Sequence, residues 1–193
     1  MAARAHGLTR EAEIRRAALR RFREKGYHGT SMQEIADTVG LLKGSLYHYI
    51  RSKEELLAQL FEGALEETLA ELGGIAAGEG SATERMRAMV RTYALAVVTN
   101  LDAVGVYMRE WRALPPRDLA VVRERRRSMR RLFERVIEQG MRRGEFAKGD
   151  AKLATLAILG MCNWLYEWYD PAGRKRVDGI ADELARRAVA SLG

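Results

Sequence analysis

Leu41–Leu57 reads LLKGSLYHYIRSKEELL, and its reading decides the fold. The stretch divides at Arg51–Ser52. Its first half is too short to persist as an isolated helix. It also carries Gly44, which costs about 1 kcal/mol of helix propensity relative to alanine. The second half opens with Ser52 and Glu55 at capping-box spacing. It then starts a long amphipathic helix striped by Leu56, Leu57, Leu60, Phe61, Ala64, Leu65 and Leu69. The short helix must therefore be held by its neighbours.

The neighbour lies just upstream. Met32, Ile35, Ala36 and Val39 recur at helical spacing, with Thr30 or Ser31 as the cap and Gly40 as the stop. Ala36, Gly40 and Leu46 stand at A-x3-G-x5-L. A small Ala36 lets two helices approach, Gly40 turns the chain where a left-handed residue is needed, and Leu46 pins the short helix down. Spacing predicts an inward row of Leu42, Leu46 and Tyr49 or Ile50. Lys43, Gly44, Ser45, Tyr47 and His48 are left outside. A helix of this kind enters the major groove of DNA. A glycine on its exposed face admits close backbone approach.

Further out, Thr9 opens a first helix with Glu11 and Glu13 in its first turn. Ile14, Ala17, Ala18 and Phe22 form its apolar face, and Gly26 ends it. The three short helices make a head of residues 1–53. Downstream, GGIAAGEGS reads as a loop. Helices follow over about 82–100, to Trp111, from the diproline to the GMRRGEF stretch, from the Asp150 cap to YDPAG, and over the C-terminal residues. The expected fold is all-α with about nine helices: a helix-turn-helix head, then a helical body over 54–193.

Composition supports this. Of 193 residues, 47% are hydrophobic, enough for a core, and only 3 are proline. One cysteine, Cys162, excludes an intrachain disulfide and a cysteine-based zinc site, which fits a cytoplasmic protein. The N-terminus lacks a signal-peptide pattern. The longest uncharged run, Leu153–Tyr166, is too short to span a membrane. Residues 1–53 hold 11 Lys/Arg against 5 Asp/Glu, while residues 54–193 hold 22 against 21. A basic head on a neutral body points to a polyanion bound at the head.

Chemistry assigns roles. Lys43, Tyr47, Lys53 and the helix start at Thr30 or Ser31 suit phosphates. Ser45 and His48 suit base edges, and Gly44 suits a thymine methyl or a backbone contact. With these residues placed, GTSMQEIADTVGLLKGSLYHYIRSKEELL strongly resembles the DNA-binding head of the tetracycline-repressor (TetR) family, over residues 9–57. Tyr49 stands where that family often has phenylalanine. The resemblance implies an all-α homodimer, usually a repressor, released from a palindromic operator by a small ligand. It also implies DNA contacts among Thr30, Ser31, Lys43, Ser45, Tyr47, His48 and Lys53.

In the body, Phe61, Met89, Tyr93, Met108, Trp111 and Phe133 belong to a soft apolar set that is either core or ligand surface. Arg126 shares the apolar face of its helix, within a run that holds Arg123, Arg125, Arg126, Arg127, Arg130 and Arg131. A charge there needs a partner: an acid such as Glu110 or Glu167, or an anionic ligand. Arg109 flanks Trp111. RRLFERVIEQGMRRGEF and GMCNWLYEWYDPAGR, with Asn163, Trp164, Trp168, Tyr169, Pro171 and Gly173, resemble the acyl-CoA-responsive branch of the family. That branch regulates fatty-acid or steroid side-chain breakdown. The resemblance implies a long-chain acyl-CoA effector and no cofactor. Leu153, Leu156 and Gly160, with Ile180, Leu184 and Ala188, are the expected dimer face.

Three other readings compete. A repressor of multidrug type would sense cationic or hydrophobic compounds and control an efflux pump. It would want acids in the cavity, such as Glu67, Glu110 and Glu167. An enzyme would need a metal-ligand pair or a nucleophile with its base, and neither spacing occurs. An architectural DNA-binding protein would need no ligand at all.

Overall fold

The computed structural model describes residues 9–193, with residues 61–65 described in backbone only. Among the described residues there are ten α-helices and no strand. They are α1 (Arg10–Lys25), α2 (Met32–Thr38), α3 (Lys43–Leu46), α4 (Lys53–Ala77) and α5 (Ala82–Thr99). Then come α6 (Leu101–Glu110), α7 (Pro116–Arg143), α8 (Ala151–Asn163), α9 (Leu165–Trp168) and α10 (Val177–Ala190). A 3-10 turn, Trp111–Ala113, joins α6 to α7.

Local chemistry sets most boundaries. Thr9, Ser31, Ser52, Ser81 and Asp150 each accept a backbone N–H of the turn they open. Gly40 sits at φ +66°, and the Leu41 and Gly40 N–H groups return to the Ala36 and Asp37 carbonyls. This closes α2 with a Schellman turn and aims the chain into α3.

Two boundaries differ from expectation. Gly73 and Gly74 lie inside α4, which continues to Ala77 because buried Leu72 and Ala76 pack its last turns into the body. Packing outweighs glycine propensity there. The uncharged run after Asp150 breaks at Trp164, so α8 and α9 replace one helix and raise the count from nine to ten.

Burial forms two clusters. The body cluster joins Leu72, Met86, Met89, Phe133 and Ile137 to Ile158, Leu159, Ile180 and Leu184. The head cluster joins Ile14, Phe22, Ile35, Ala36, Leu46 and Ile50, and extends past residue 53 into Leu56, Leu57, Val106, Tyr107 and Val122. The head therefore packs on α6 and the start of α7. Arg23 pairs with Asp102 at 2.8 Å, and the Glu110 carboxylate accepts the Tyr27 N–H at 3.5 Å. No helix of the described residues is long and apolar enough to cross a membrane.

Ile180, Leu184 and Ala188, expected at a dimer face, are buried inside this chain. The single apolar stripe of α10 lies in the body cluster with Met86, Met89 and Val90 of α5, so it cannot also cover a second copy.

Candidate functional site

The head presents α3 on its surface. Leu46 and Ile50 are buried, at 0% and 1% exposure, and they hold the element down. Leu42 and Tyr49 do not share that role: they are 80% and 41% exposed. The helix covers only four residues before relaxing into turns, so a continuous 3.6-residue period does not carry through to Tyr49. Lys43, Gly44, Tyr47 and His48 are exposed and Ser45 is half-buried. A Cβ on Gly44 would meet nothing within 4 Å, so no contact inside the chain requires glycine there.

Two expected phosphate contacts are engaged internally. Thr30 is 2% exposed, and its hydroxyl donates to the Arg21 and Gly26 carbonyls. Lys53 donates to the Tyr27 and Thr30 carbonyls at 2.8 and 2.9 Å and lies 4.3 Å from the Tyr27 ring centre. Thr30 fastens the α1–α2 connector to the end of α1 and Lys53 fastens it to α4, so neither is a free hydroxyl or cationic arm. Ser31 is exposed, but its own N–H goes to the Glu34 carboxylate, which Lys25 also binds. The hydrogen bond from Lys25, then those from Ser31, lower the Glu34 carboxyl to about 2. A carboxylate already occupies the start of α2, which leaves little attraction there for phosphate.

The body encloses a cavity of about 490 Å³, within the usual range for small-molecule sites. Helix α4 gives Leu60 and Thr68, α5 gives Tyr93, Ala96 and Val97 with Asn100 just after it, and α6 gives Ala103, Val104, Tyr107 and Met108. Helix α8 closes it with Leu156, Leu159, Gly160 and Asn163. Arg123, Arg126, Arg127 and Arg130 of α7 line it too, and no Asp or Glu does among the described residues. Inside, the Tyr93 hydroxyl donates to Asn163 Oδ1 at 2.7 Å, and burial raises the Tyr93 hydroxyl above its ordinary value.

Arg126 is exposed rather than buried, contrary to expectation. Its guanidinium lies 5.2 Å from the Trp111 ring centre and 5.8 Å from that of Tyr107. Aromatic faces hold the charge at the mouth, and no carboxylate of the described residues is within 4.0 Å. Glu110 instead accepts the Tyr27 N–H, and Glu167 is exposed on α9. Burial raises the Tyr107 hydroxyl, and Arg126 opposes that shift.

Of the expected ligand residues, Tyr93, Met108, Arg126 and Asn163 line the cavity. Met89 and Phe133 are fully buried in the body cluster, where they back the wall without reaching it. Arg109 folds onto its own helix, donating to the Gly105 carbonyl at 3.1 Å. Trp111 supports Arg126 and is not itself lining. Trp164 faces out, 57% exposed. The Phe61 side chain lies outside the described residues.

Sequence reading missed Tyr107 and the arginines around Arg126. Arg123, Arg126, Arg127 and Arg130 recur at three- and four-residue spacing, which puts them on one face. The density of arginine hid that row. Tyr107 gave no signal, since an apolar helix of ten residues offers many equal candidates.

Residues 14–60 match the model for bacterial regulatory proteins of the tetR family, and residues 79–192 match that for the tetracyclin repressor-like C-terminal domain. The HTH-type transcriptional repressor KstR2 of Rhodococcus jostii (strain RHA1) is 29% identical over 176 residues, covering 90% of this chain and 86% of that protein. The ketosteroid transcriptional regulator KstR2 of Mycobacterium tuberculosis superposes with a TM-score of 0.88 at 26% identity, covering 97% of each chain. AibR, solved in complex with isovaleryl coenzyme A and operator DNA, superposes with a TM-score of 0.82 at 28% identity. That match covers 92% of this chain and 97% of AibR.

Proposed function

We propose that this chain, which belongs to the tetR family of bacterial regulatory proteins, is a dimeric repressor released from its operator by an acyl-CoA. The observation that carries the reading is the α7 arginine row on an otherwise mostly apolar cavity. Phosphates of a nucleotide head pair with guanidinium groups, while an acyl chain fills the apolar interior. The Tyr93–Asn163 pair offers a polar contact deeper in. AibR, whose ligand is isovaleryl coenzyme A, supports the same class. The KstR2 relatives, one a transcriptional repressor and one a ketosteroid transcriptional regulator, support repression and a steroid-linked role.

DNA binding rests on the exposed Lys43, Gly44, Tyr47, His48 and Ser45, with Arg51 beside them. Two heads carried by a homodimer would meet successive major grooves about 34 Å apart, on a palindromic operator. The dimer face is α8 and α9. Leu153, Trp164 and Trp168 are 65%, 57% and 48% exposed, and Leu156, which also borders the cavity, is 44% exposed. In this reading α10 contributes only its outer rim.

Two routes join ligand to DNA. Helix α4 runs unbroken from the Ser52 cap beside α3 to the body and lends Leu60 and Thr68 to the cavity. Tyr107 lines the cavity and also belongs to the head cluster. A phosphate that draws Arg126 from Trp111 and Tyr107 would move α6 against α1. Release then follows only if ligand binds the DNA-incompetent arrangement more tightly.

Thermal unfolding with a ligand panel tests this. Acyl-CoAs should raise the midpoint, free CoA should raise it little, and cationic dyes should not. A shift with dyes alone would favour a multidrug-type sensor.

A further inference from the structure

Leu42 is the most exposed large apolar side chain among the described residues, at 80%. One exposed leucine is unremarkable by itself, but its position is not. Of the eight exposed large hydrophobics, Leu153, Leu156, Trp164 and Trp168 share α8–α9, Val121 stands alone, and Leu42, Tyr47 and Tyr49 cluster around α3.

Among the described residues Thr9, Ser31, Ser52, Ser81 and Asp150 cap their helices through a side-chain oxygen, while α3, α6, α7, α9 and α10 start without one. Leu42 holds the same position before α3, with φ −67° and ψ 145°, and its side chain gives no cap. Serine or aspartate there would stabilise the start of the helix. The chain gives that up for an apolar group that touches no core. Neighbouring Leu41 is half-buried against the head cluster, so the turn is already anchored.

We infer that Leu42 is a specificity residue that reads the 5-methyl group of a thymine in the major groove. Thymine is the one base with an apolar group on that edge. Lys43 stands beside Leu42 and Gly44 lets the backbone come close, so the leucine arrives at the groove floor with phosphate-binding partners around it. This rests on the DNA-binding reading above.

The test starts with selection of bound sequences from a random duplex pool by the full chain. Each thymine of the selected half-site is then replaced by deoxyuridine, which removes only the methyl group. Affinities are measured for the native chain and for Leu42→Ala. The expected result is one thymine position per half-site where deoxyuridine weakens native binding about fourfold, the value of one buried methyl. Leu42→Ala should lose that dependence while melting at the native temperature. Deoxyuridine penalties identical in both proteins would overturn the assignment of Leu42 and leave the DNA-binding reading standing. A pool in which no sequence is enriched would overturn both.

Discussion

Arg126 lies over Tyr107, its guanidinium 5.8 Å from the ring centre, where the cavity meets the head. Both line the cavity, and Tyr107 also belongs to the buried head cluster that holds Ile14 and Phe22 of α1. In the proposed mechanism a change in what Arg126 binds would therefore reach a residue of the head cluster.

Arg126→Ala is expected to keep operator affinity within a fewfold, because Arg126 lines the cavity and is not part of the head cluster that holds α3. It should weaken acyl-CoA binding by roughly tenfold or more, the cost of a charge-assisted hydrogen bond. Calorimetric titration with ligand and fluorescence anisotropy with DNA separate the two effects.

Tyr93→Phe removes the hydrogen bond to Asn163 and leaves that amide oxygen unpaired in the cavity wall. A loss of about 1 kcal/mol of stability is expected in urea unfolding. Ligand affinity should fall as well, since the pair is the polar contact proposed for the ligand's inner end.

Changes on α8 and α10 should differ in kind. Leu153→Glu and Trp164→Glu place charges on exposed positions outside the cavity, so the chain should stay folded but sediment as a monomer. Operator affinity then drops because two half-sites are no longer held together. Leu184→Ala acts inside the body cluster and should cost about 2–4 kcal/mol of stability, with the dimer retained where the chain is folded.

Acid should loosen the head. The Glu34 carboxyl is held down to about 2, against 4.5 ordinarily, by Lys25 and Ser31. A depressed acid stabilises the fold above its unfolded value and loses that contribution as pH falls from about 4.5 to 2. Glu34→Gln should flatten that limb of the stability–pH curve by lowering the midpoint at neutral pH, with the two proteins converging as pH approaches 2. Thermal midpoints measured across that range check it.

The head was legible because its signals are local. Caps at Ser31 and Ser52, the Gly40 stop and the buried Ile35, Ala36 and Leu46 all follow from spacing and turn chemistry. Leu42 and Tyr49 were misplaced since α3 is too short to keep a helical period. Thr30 and Lys53 have the right chemistry for phosphate, but tertiary contacts with the Tyr27 connector consume them. The body was harder to read. An apolar stripe such as Ile180, Leu184 and Ala188 says that a face is covered, not whether α5 or a second copy covers it. Gly73–Gly74 resembles a loop until Leu72 and Ala76 are seen packed. In the α7 run, density concealed which arginines face inward.

Operator affinity measured with and without saturating acyl-CoA tests ligand-gated repression most directly. The full native chain and its selected operator are used, with free CoA as the control. The expected result is a weakening of at least fivefold with acyl-CoA and little change with free CoA, the lower end of typical coupling between sites. Unchanged operator affinity at acyl-CoA concentrations that saturate the cavity would contradict it.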